Sequence, residues 1–303
     1  MSASPIRILN DDLLNSVLKI APEKISELEK FRIKYDPCAI FTDDRNFRFR
    51  VDVEEKKIKL PTVALEYLWC SCYSFYVFYQ EHCSASLTNT VKFDLRGNER
   101  SRNAFDLYIW GYNKVKQINN TDWPCNLPKP VIADCDTPED CKVANELYLC
   151  AASWILHHEF AHIYHNHPND PLNNLDSIKQ ERESDLSATE WILGGVVDEK
   201  IQNKRALGIA IATLVITAQD ILVGEFKETT HPRSFQRLYD AITPYIKNED
   251  HLVYAFSTVI CHINMAIADI QIEVNDNDTW KQNLESCLVK FNRLTKVSTL
   301  LFQ

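Results

Sequence analysis

The fold expected for this 303-residue chain is decided by residues 137–168, which read T-P-E-D-C-K-V-A-N-E-L-Y-L-C-A-A-S-W-I-L-H-H-E-F-A-H-I-Y-H-N-H-P. Thr137, Pro138 and the two acids that follow are typical of a helix start. Asn166-His167-Pro168 is typical of a helix end. No glycine or proline interrupts the residues between these signals. The sequence therefore predicts one long helix, with Thr137 as its cap.

This predicted helix contains His158-Glu159-Phe160-Ala161-His162, an H-E-x-x-H pattern. Two histidines four residues apart lie one turn apart on the same helical face, so both rings can reach one tetrahedral zinc ion. Glu159 then stands where a general base is needed. The same face carries an apolar stripe, which predicts that the ligands point into the protein; its members are Val143, Leu147, Cys150 and Trp154.

The pattern has two other interpretations. A surface cluster of histidine and glutamate is the first, because His157, His165 and His167 crowd the same stretch. The second, a metzincin, would need a glycine seven residues and a histidine ten residues after His158. His165 and Pro168 occupy those positions, which excludes that subclass.

The third zinc ligand is expected to be an acid on the next predicted helix, which ends at Gly194-Gly195. Glu181 and Asp185 are four residues apart and share a face with apolar residues, whereas Glu183 points about 200° away from Glu181. This geometry selects Glu181 as the metal carboxylate. Asp185, one turn further on, is suited to accept the free N–H of a ligand histidine and to fix its tautomer.

A further candidate element is the stretch T-T-H-P-R-S-F-Q-R at residues 229–237. Pro232 is a natural first-turn residue, which places His231 at a helix N-terminus, where the helix dipole favours a neutral imidazole donor. Such a donor can stabilise the oxyanion of a tetrahedral intermediate, while Arg237 braces the segment. The alternative is a local helix cap with an exposed histidine.

Composition limits the remaining classes of function. The chain has only 6 glycines, against about 21 at average usage, which argues against a phosphate-cradling loop or a hairpin-rich β protein. A net charge of −9 without long basic runs argues against nucleic acid as a partner. The longest near-apolar run, residues 207–218, is too short for a membrane span. The first residues lack the features of a signal or transit peptide, so a soluble, cytoplasmic protein without a membrane partner is expected.

The ten cysteines are expected to be reduced and mostly buried. Cys125, Cys135 and Cys141 form a loose cluster, which leaves open a second metal site.

The pattern along the chain predicts a mainly α (α+β) protein. Alternating residues between 38 and 60 indicate a small antiparallel sheet, with 91–95 as an additional strand; the C-terminal half is predicted to be helical throughout. The proline-rich segment 118–136 suggests a division into 1–136, with N-terminal helices and the sheet, and 137–303, a helical metallopeptidase core. We expect the two parts to form one continuous folding unit.

The order His158-Glu159-x-x-His162 followed by Glu181-x-x-x-Asp185 resembles the gluzincin metallopeptidases, and the zincin-like fold is an implication of that resemblance. The stretch His231-Pro232 followed by Arg237 is similar to the H-P-x-x-x-x-R element of several gluzincin families. With the motif at mid-chain, the sequence is similar to the Lit-type phage-exclusion peptidases. The resemblance implies a dormant host-defence protease that cleaves translation elongation factor Tu when a phage protein activates it.

The residues thus predict a zinc-dependent endopeptidase that acts on a protein substrate, with an extended substrate adding to a strand edge in the 38–60 or 91–95 region. Two alternatives stay open. The two helices also resemble those of the ImmA/IrrE-type peptidases, which cleave repressors. A non-catalytic interaction protein that uses zinc structurally is the other alternative, because a structural site would close all four zinc positions with protein ligands.

Overall fold

A computed structural model describes most of the chain: residues 4–43, 47–87, 94–118, 121–132, 134–223, 231–271 and 277–301. It contains two compact units, Met1–Asn169 and Asp170–Gln303. This division lies in the loop after the long central helix, whereas the sequence suggested 136/137. That 1–303 forms one continuous folding unit stays a prediction.

Among its described residues, the first unit combines five α-helices with a three-stranded sheet. Its elements are α1 (Asn10–Lys19), α2 (Ile25–Tyr35), β1 (Cys38–Thr42), β2 (Arg50–Asp52), β3 (Lys57–Pro61), α3 (Thr62–Leu87), α4 (Glu99–Val115) and α5 (Glu139–His165). The mainly helical class with a small N-terminal sheet is confirmed. Residues 91–93 of the predicted additional strand lie outside the described residues, and Asp94 and Leu95 are not in a strand.

The sheet is mixed rather than antiparallel throughout, with strand order β1-β3-β2. β2 and β3 form an antiparallel hairpin whose turn contains Lys56 in the left-handed conformation (φ 53°). This hairpin leaves the other edge of β3 open, and β1 pairs there in parallel. Alternation of apolar and polar residues shows which face of a strand is buried but not which strand lies beside it, so the parallel pair could not be predicted.

Helix α5 is the central element of the first unit. Its side chains bond to two other helices: Ser153 Oγ lies 2.7 Å from Ser16 Oγ of α1, and Trp69 Nε1 of α3 donates to Asn145 Oδ1 at 2.8 Å. Asn145 also donates to the Val131 carbonyl at 2.8 Å, which ties the proline-rich segment to α5. These bonds satisfy polar groups that would otherwise be costly to bury.

The N-terminal cap of α5 differs from the prediction. Pro138 holds the N-cap position, and no side chain caps the helix there. Thr137 instead donates its hydroxyl to Asp134 Oδ1 at 2.8 Å and accepts the Asp134 amide at 3.0 Å. Because Asp134 forms this local turn with the hydroxyl, Thr137 serves the preceding loop rather than the helix.

The second unit is made of helices, as predicted. They are α6 (Asn174–Leu193), α7 (Glu199–Val223), α8 (Ser234–Ile242), α9 (Leu252–Ile267) and α10 (Trp280–Leu301). Asn173 caps α6 by accepting the amides of Leu175 and Asp176. At its other end, buried Arg205 of α7 donates to the Ile192 carbonyl at 2.9 Å, and Gly195 takes a positive φ of 80°. Both ends of α6 are therefore fixed by hydrogen bonds to side chains.

Within the described residues, one helical stretch, Glu199–Leu222, is apolar and long enough to cross a membrane. Of its most apolar 18-residue window, 78% is buried inside the structure. It contains the near-apolar run noted in the sequence, and its burial is consistent with a core helix of a soluble protein.

The start of α9 depends on a histidine cap. His251 Nδ1 accepts the Val253 amide at 3.2 Å, and the side chain is buried. Burial lowers the pKa of His251 below its ordinary value of 6.5. A protonated ring would lose this acceptor and would also meet the positive end of the helix dipole.

We expect the free energy of unfolding to fall as the pH drops below about 6.5, because the unfolded chain binds this proton more readily than the folded protein does. His251→Asn keeps a capping acceptor but does not titrate, so its unfolding free energy should depend less steeply on pH between 7 and 5. Urea unfolding at several pH values measures this. His251→Ala, which loses the cap, should cost about 1 kcal/mol at pH 7, and its difference from wild type should shrink as the pH falls. An unchanged slope in His251→Asn would contradict the prediction.

Candidate active site

The histidine pair on α5 belongs to the first unit. His158 and His162 are 6% and 9% exposed, so the interpretation as a surface cluster is wrong. Their Nε2 atoms lie 3.2 Å apart, and the ring of His158 packs against the buried indole of Trp154. Two nitrogens bound to one tetrahedral zinc at 2.0–2.1 Å would be about 3.3–3.4 Å apart. The two rings are thus already spaced as ligands of one metal ion.

Glu159 lies between these histidines in sequence and is also buried, at 8% exposure. A buried carboxyl next to these two rings in the helix is compatible with the predicted role of general base. The neighbouring His157 has a different role, because its Nε2 lies 3.3 Å from the Val17 carbonyl of α1. Burial lowers the pKa of His157 to about 3, so this ring stays neutral and joins two helices.

Sequence reasoning missed the role of a third histidine near this pair. His167, two residues past the end of α5, is buried and places its Nδ1 2.9 Å from Nδ1 of His162. The feature of the sequence that could have indicated this role was the helix end at Asn166-His167-Pro168. An Asn in the left-handed conformation folds the following residue back over the last helical turn, and Asn166 has φ 53°.

The other predicted site residues belong to the second unit, on α6, on α8 and just before α8. Glu181 and Asp185 share the inward face of α6, as predicted, and Glu183 is exposed. His231 Nε2 lies 3.4 Å from Glu181 Oε1, and Arg237 Nη2 lies 3.8 Å from Glu181 Oε2. Two basic side chains therefore flank the carboxylate that was predicted as a ligand.

Arg237 forms a bidentate pair with Asp185. Its Nε and Nη2 donate to the two carboxylate oxygens at 2.8 and 2.7 Å, and both side chains are at least 90% buried. Such fork-shaped pairing fixes both groups in orientation as well as position. The sequence predicted that Arg237 braces this segment, but not that Asp185 would be what it binds.

His231 lies further from its helix than predicted. α8 begins at Ser234 with Arg233 as N-cap, so His231 precedes the cap by two residues, and its side chain is 47% exposed. Thr229 and Thr230 of the predicted element lie outside the described residues. The structure places this ring beside Glu181 and not at the N-terminus of a helix.

The suggested cysteine cluster does not converge. All ten cysteines are free thiols, as expected, and six of them are buried. Cys125 and Cys135 are exposed while Cys141 is buried. Among the described residues, no group of metal-ligating atoms includes these three cysteines.

The comparisons with known proteins agree with these residues. The model of the family described as Peptidase U49 matches residues 58–257, a range that includes the histidine pair, Glu181 and Arg237. The chain belongs to the Peptidase U49 family. It is also 33% identical over 297 residues to the cell death peptidase of Escherichia coli (strain K12), covering 96% of this chain and 99% of that protein. No solved structure matches the chain.

These matches confirm the resemblance to the Lit-type peptidases that the sequence suggested. The protein is accordingly a peptidase, a hydrolase that acts on peptide bonds. The same matches favour this family over the ImmA/IrrE-type peptidases.

The peptidase should depend on the Arg237–Asp185 pair for stability. Arg237→Met leaves Asp185 buried without its cation and removes the second positive group from Glu181. We expect a loss of about 3–5 kcal/mol in the free energy of unfolding, measured by urea denaturation.

The matched control is the double variant Arg237→Met/Asp185→Leu, in which no unpaired charge is left at this position. It should recover most of the loss. A cost below about 1 kcal/mol for the single variant would show that the pair is not a structural requirement.

Proposed function

We propose that this peptidase is a zinc-dependent endopeptidase in which His158, His162 and Glu181 bind the metal. The observation that carries the proposal is the 3.2 Å spacing of the two Nε2 atoms, which fits two nitrogens on one tetrahedral ion. Imidazole and carboxylate are ligands that suit zinc, and a set of two histidines with one glutamate leaves a position for water. The burial of His158 and His162, together with the low exposure (13%) of the Glu181 side chain, favours an oriented centre over a loose surface site.

Zinc bound there would lower the pKa of a ligated water to about 7 and polarise the scissile carbonyl. Glu159 takes the proton of the attacking water and returns it to the leaving amine. His231 donates a hydrogen bond to the developing oxyanion, for which its half-exposed position beside Glu181 gives it access to substrate. Asp185, held by Arg237, accepts the free ring N–H of a ligand histidine and keeps that ring in its tautomer.

An extended substrate can add to the sheet of the first unit. β2 is an edge strand in the order β1-β3-β2, and it packs against α5, the helix of the H-E-x-x-H motif. Main-chain pairing with an edge strand holds a peptide extended without dependence on its sequence. This supports the proposal that the substrate is a protein segment rather than a small molecule.

For the identity of the substrate, the family relationship is the guide. We propose a cytoplasmic enzyme that cleaves translation elongation factor Tu and that a phage protein activates, as implied by the resemblance to the Lit-type peptidases. A latent protease of this kind would do no harm to its host until infection.

The central test is Glu159→Gln. Zinc content, measured on purified protein by atomic emission, should stay at one ion per chain because a glutamine at this position leaves the ligands unchanged. Peptide hydrolysis should fall by at least about 100-fold, since proton transfer is lost. Glu146→Gln, an exposed acid on the same helix, is the matched control and should keep full activity.

Glu181→Gln should behave differently in the same assays, with zinc content and activity both reduced; Glu183→Gln on the exposed face should change neither. Retained hydrolysis in Glu159→Gln would sink the catalytic assignment. Full biological function of a Glu159→Gln protein that hydrolyses no peptide would instead favour an interaction protein that uses zinc structurally.

The substrate is tested in a bacterial lysate. Zinc-loaded protein is incubated with lysate, with and without phage capsid protein, and new protein termini are identified by mass spectrometry. We expect one cut in elongation factor Tu that needs the phage protein and is absent with Glu159→Gln. Cleavage confined to other proteins would overturn the proposed substrate while leaving the peptidase chemistry intact.

A further inference from the structure

We infer that His167 is a positioning residue, which accepts a hydrogen bond from Nδ1–H of His162 and so holds the lone pair of His162 Nε2 toward His158. The two Nδ1 atoms lie 2.9 Å apart, within hydrogen-bond distance, and both rings are buried. The role in metal binding rests on the proposed function. The direction of the hydrogen bond is inferred from that role, whereas the 2.9 Å contact between the two Nδ1 atoms does not depend on it.

The backbone at the end of α5 places His167 over His162. The amide of Asn166 bonds to the Ile163 carbonyl at 3.2 Å, and the amide of His167 bonds to the His162 carbonyl at 3.0 Å. This pair of bonds is the Schellman motif, and it requires the left-handed conformation that Asn166 adopts. His167 is therefore bound to His162 twice, through its main chain and through its ring.

Asn169, which follows the Schellman motif, connects this turn to the β2–β3 hairpin. Asn169 Oδ1 accepts the Val53 amide at 2.9 Å, and Asn169 Nδ2 donates to Asp52 Oδ1 at 3.1 Å. The short loop thus runs from the end of α5 to the β2–β3 hairpin and is fixed at both ends. The ring of His167 also stacks on that of His165, with centroids 5.4 Å apart and an interplanar angle of 18°. A ring held in this way can orient a neighbour.

The direction of the bond decides whether His162 can bind a metal. A neutral imidazole carries one proton on one of its two ring nitrogens. If His162 donates from Nδ1, its Nε2 has a free lone pair aimed at the space shared with His158. If His167 donates instead, His162 keeps its proton on Nε2, and that nitrogen cannot be a ligand. Accepting from His162 is therefore the function that the geometry assigns to His167, comparable to the outer partners that orient ligand histidines in zinc sites.

The first experiment compares zinc affinities of the full chain by competition with a chelator. His167→Phe keeps a ring but has no acceptor, and it should bind zinc about 10–100-fold more weakly. His167→Asn should restore binding to near the wild-type value, because its Oδ1 lies three bonds from Cα, as Nδ1 of histidine does. Equal affinity of the Phe variant and wild type, or equal loss in both variants, would overturn the inference.

His157→Phe is the matched control for replacing a buried histidine on this helix. It removes the bond to the Val17 carbonyl and should lower stability, but the zinc affinity of the folded protein should stay as in wild type. A comparable loss of affinity in this control would mean that general disturbance of α5, and not the lost acceptor, explains His167→Phe.

The second experiment needs no metal and does not require any variant of His167 to fold. Nitrogen-15 NMR of the metal-free wild-type protein reports which ring nitrogen of His162 carries the proton, with the signal assigned by its absence in His162→Asn. A proton on Nδ1 supports the inference, and a proton on Nε2 overturns it. If wild type binds no zinc, the proposed function fails, but the tautomer still decides whether His167 is the acceptor.

Discussion

Helix α5 has to bury polar and ionisable side chains on several faces at once, and most of the first unit is arranged around that requirement. Ser153 bonds to α1, Asn145 to α3 and to the proline-rich segment, and His157 to a main-chain carbonyl of α1. Each bond compensates for the cost of removing a polar group from water. The face with His158 and His162 differs, because there the two ring nitrogens point at one another.

This arrangement separates structural from chemical histidines on one helix. His157 has its Nε2 directed at a carbonyl of α1 and is kept neutral by burial, so it links the two helices through a hydrogen bond. His162 has one nitrogen toward His167 and the other toward His158. Histidines five residues apart thus have different roles because the helix turns each ring toward a different partner.

In the second unit, the packing of α6 and α8 depends on the pairing of charged side chains. Two carboxylates, Glu181 and Asp185, lie one turn apart on the buried face of α6, where each would raise the electrostatic cost of the other. Arg237 reduces that cost with a bidentate bond to Asp185 and a longer contact to Glu181. Because the guanidinium is committed mainly to Asp185, the Glu181 oxygens keep capacity for another cation.

The sequence was informative where a periodic pattern or a stop signal carries the information. It predicted the long helix, its end at Asn166, the inward histidines and the inward face of α6. It did not predict the parallel pairing of β1 with β3, the local bond of Thr137, or the binding of Arg237 to Asp185, since these depend on which segments meet in space. His167 was visible as a residue, but its role follows only from how the chain turns back after Asn166.

The alternation in β3 has a consequence for that turn. Ile58 and Leu60 are buried while Lys57 and Lys59 are exposed, so a shift of pairing by one residue would carry two ammonium groups into the core. The register of the β2–β3 hairpin is therefore specified by lysines on its outer face. Asp52 and Val53 of this hairpin form hydrogen bonds with Asn169. The two lysines, by specifying the register of the hairpin, therefore also determine where the loop that contains His167 is attached to the sheet.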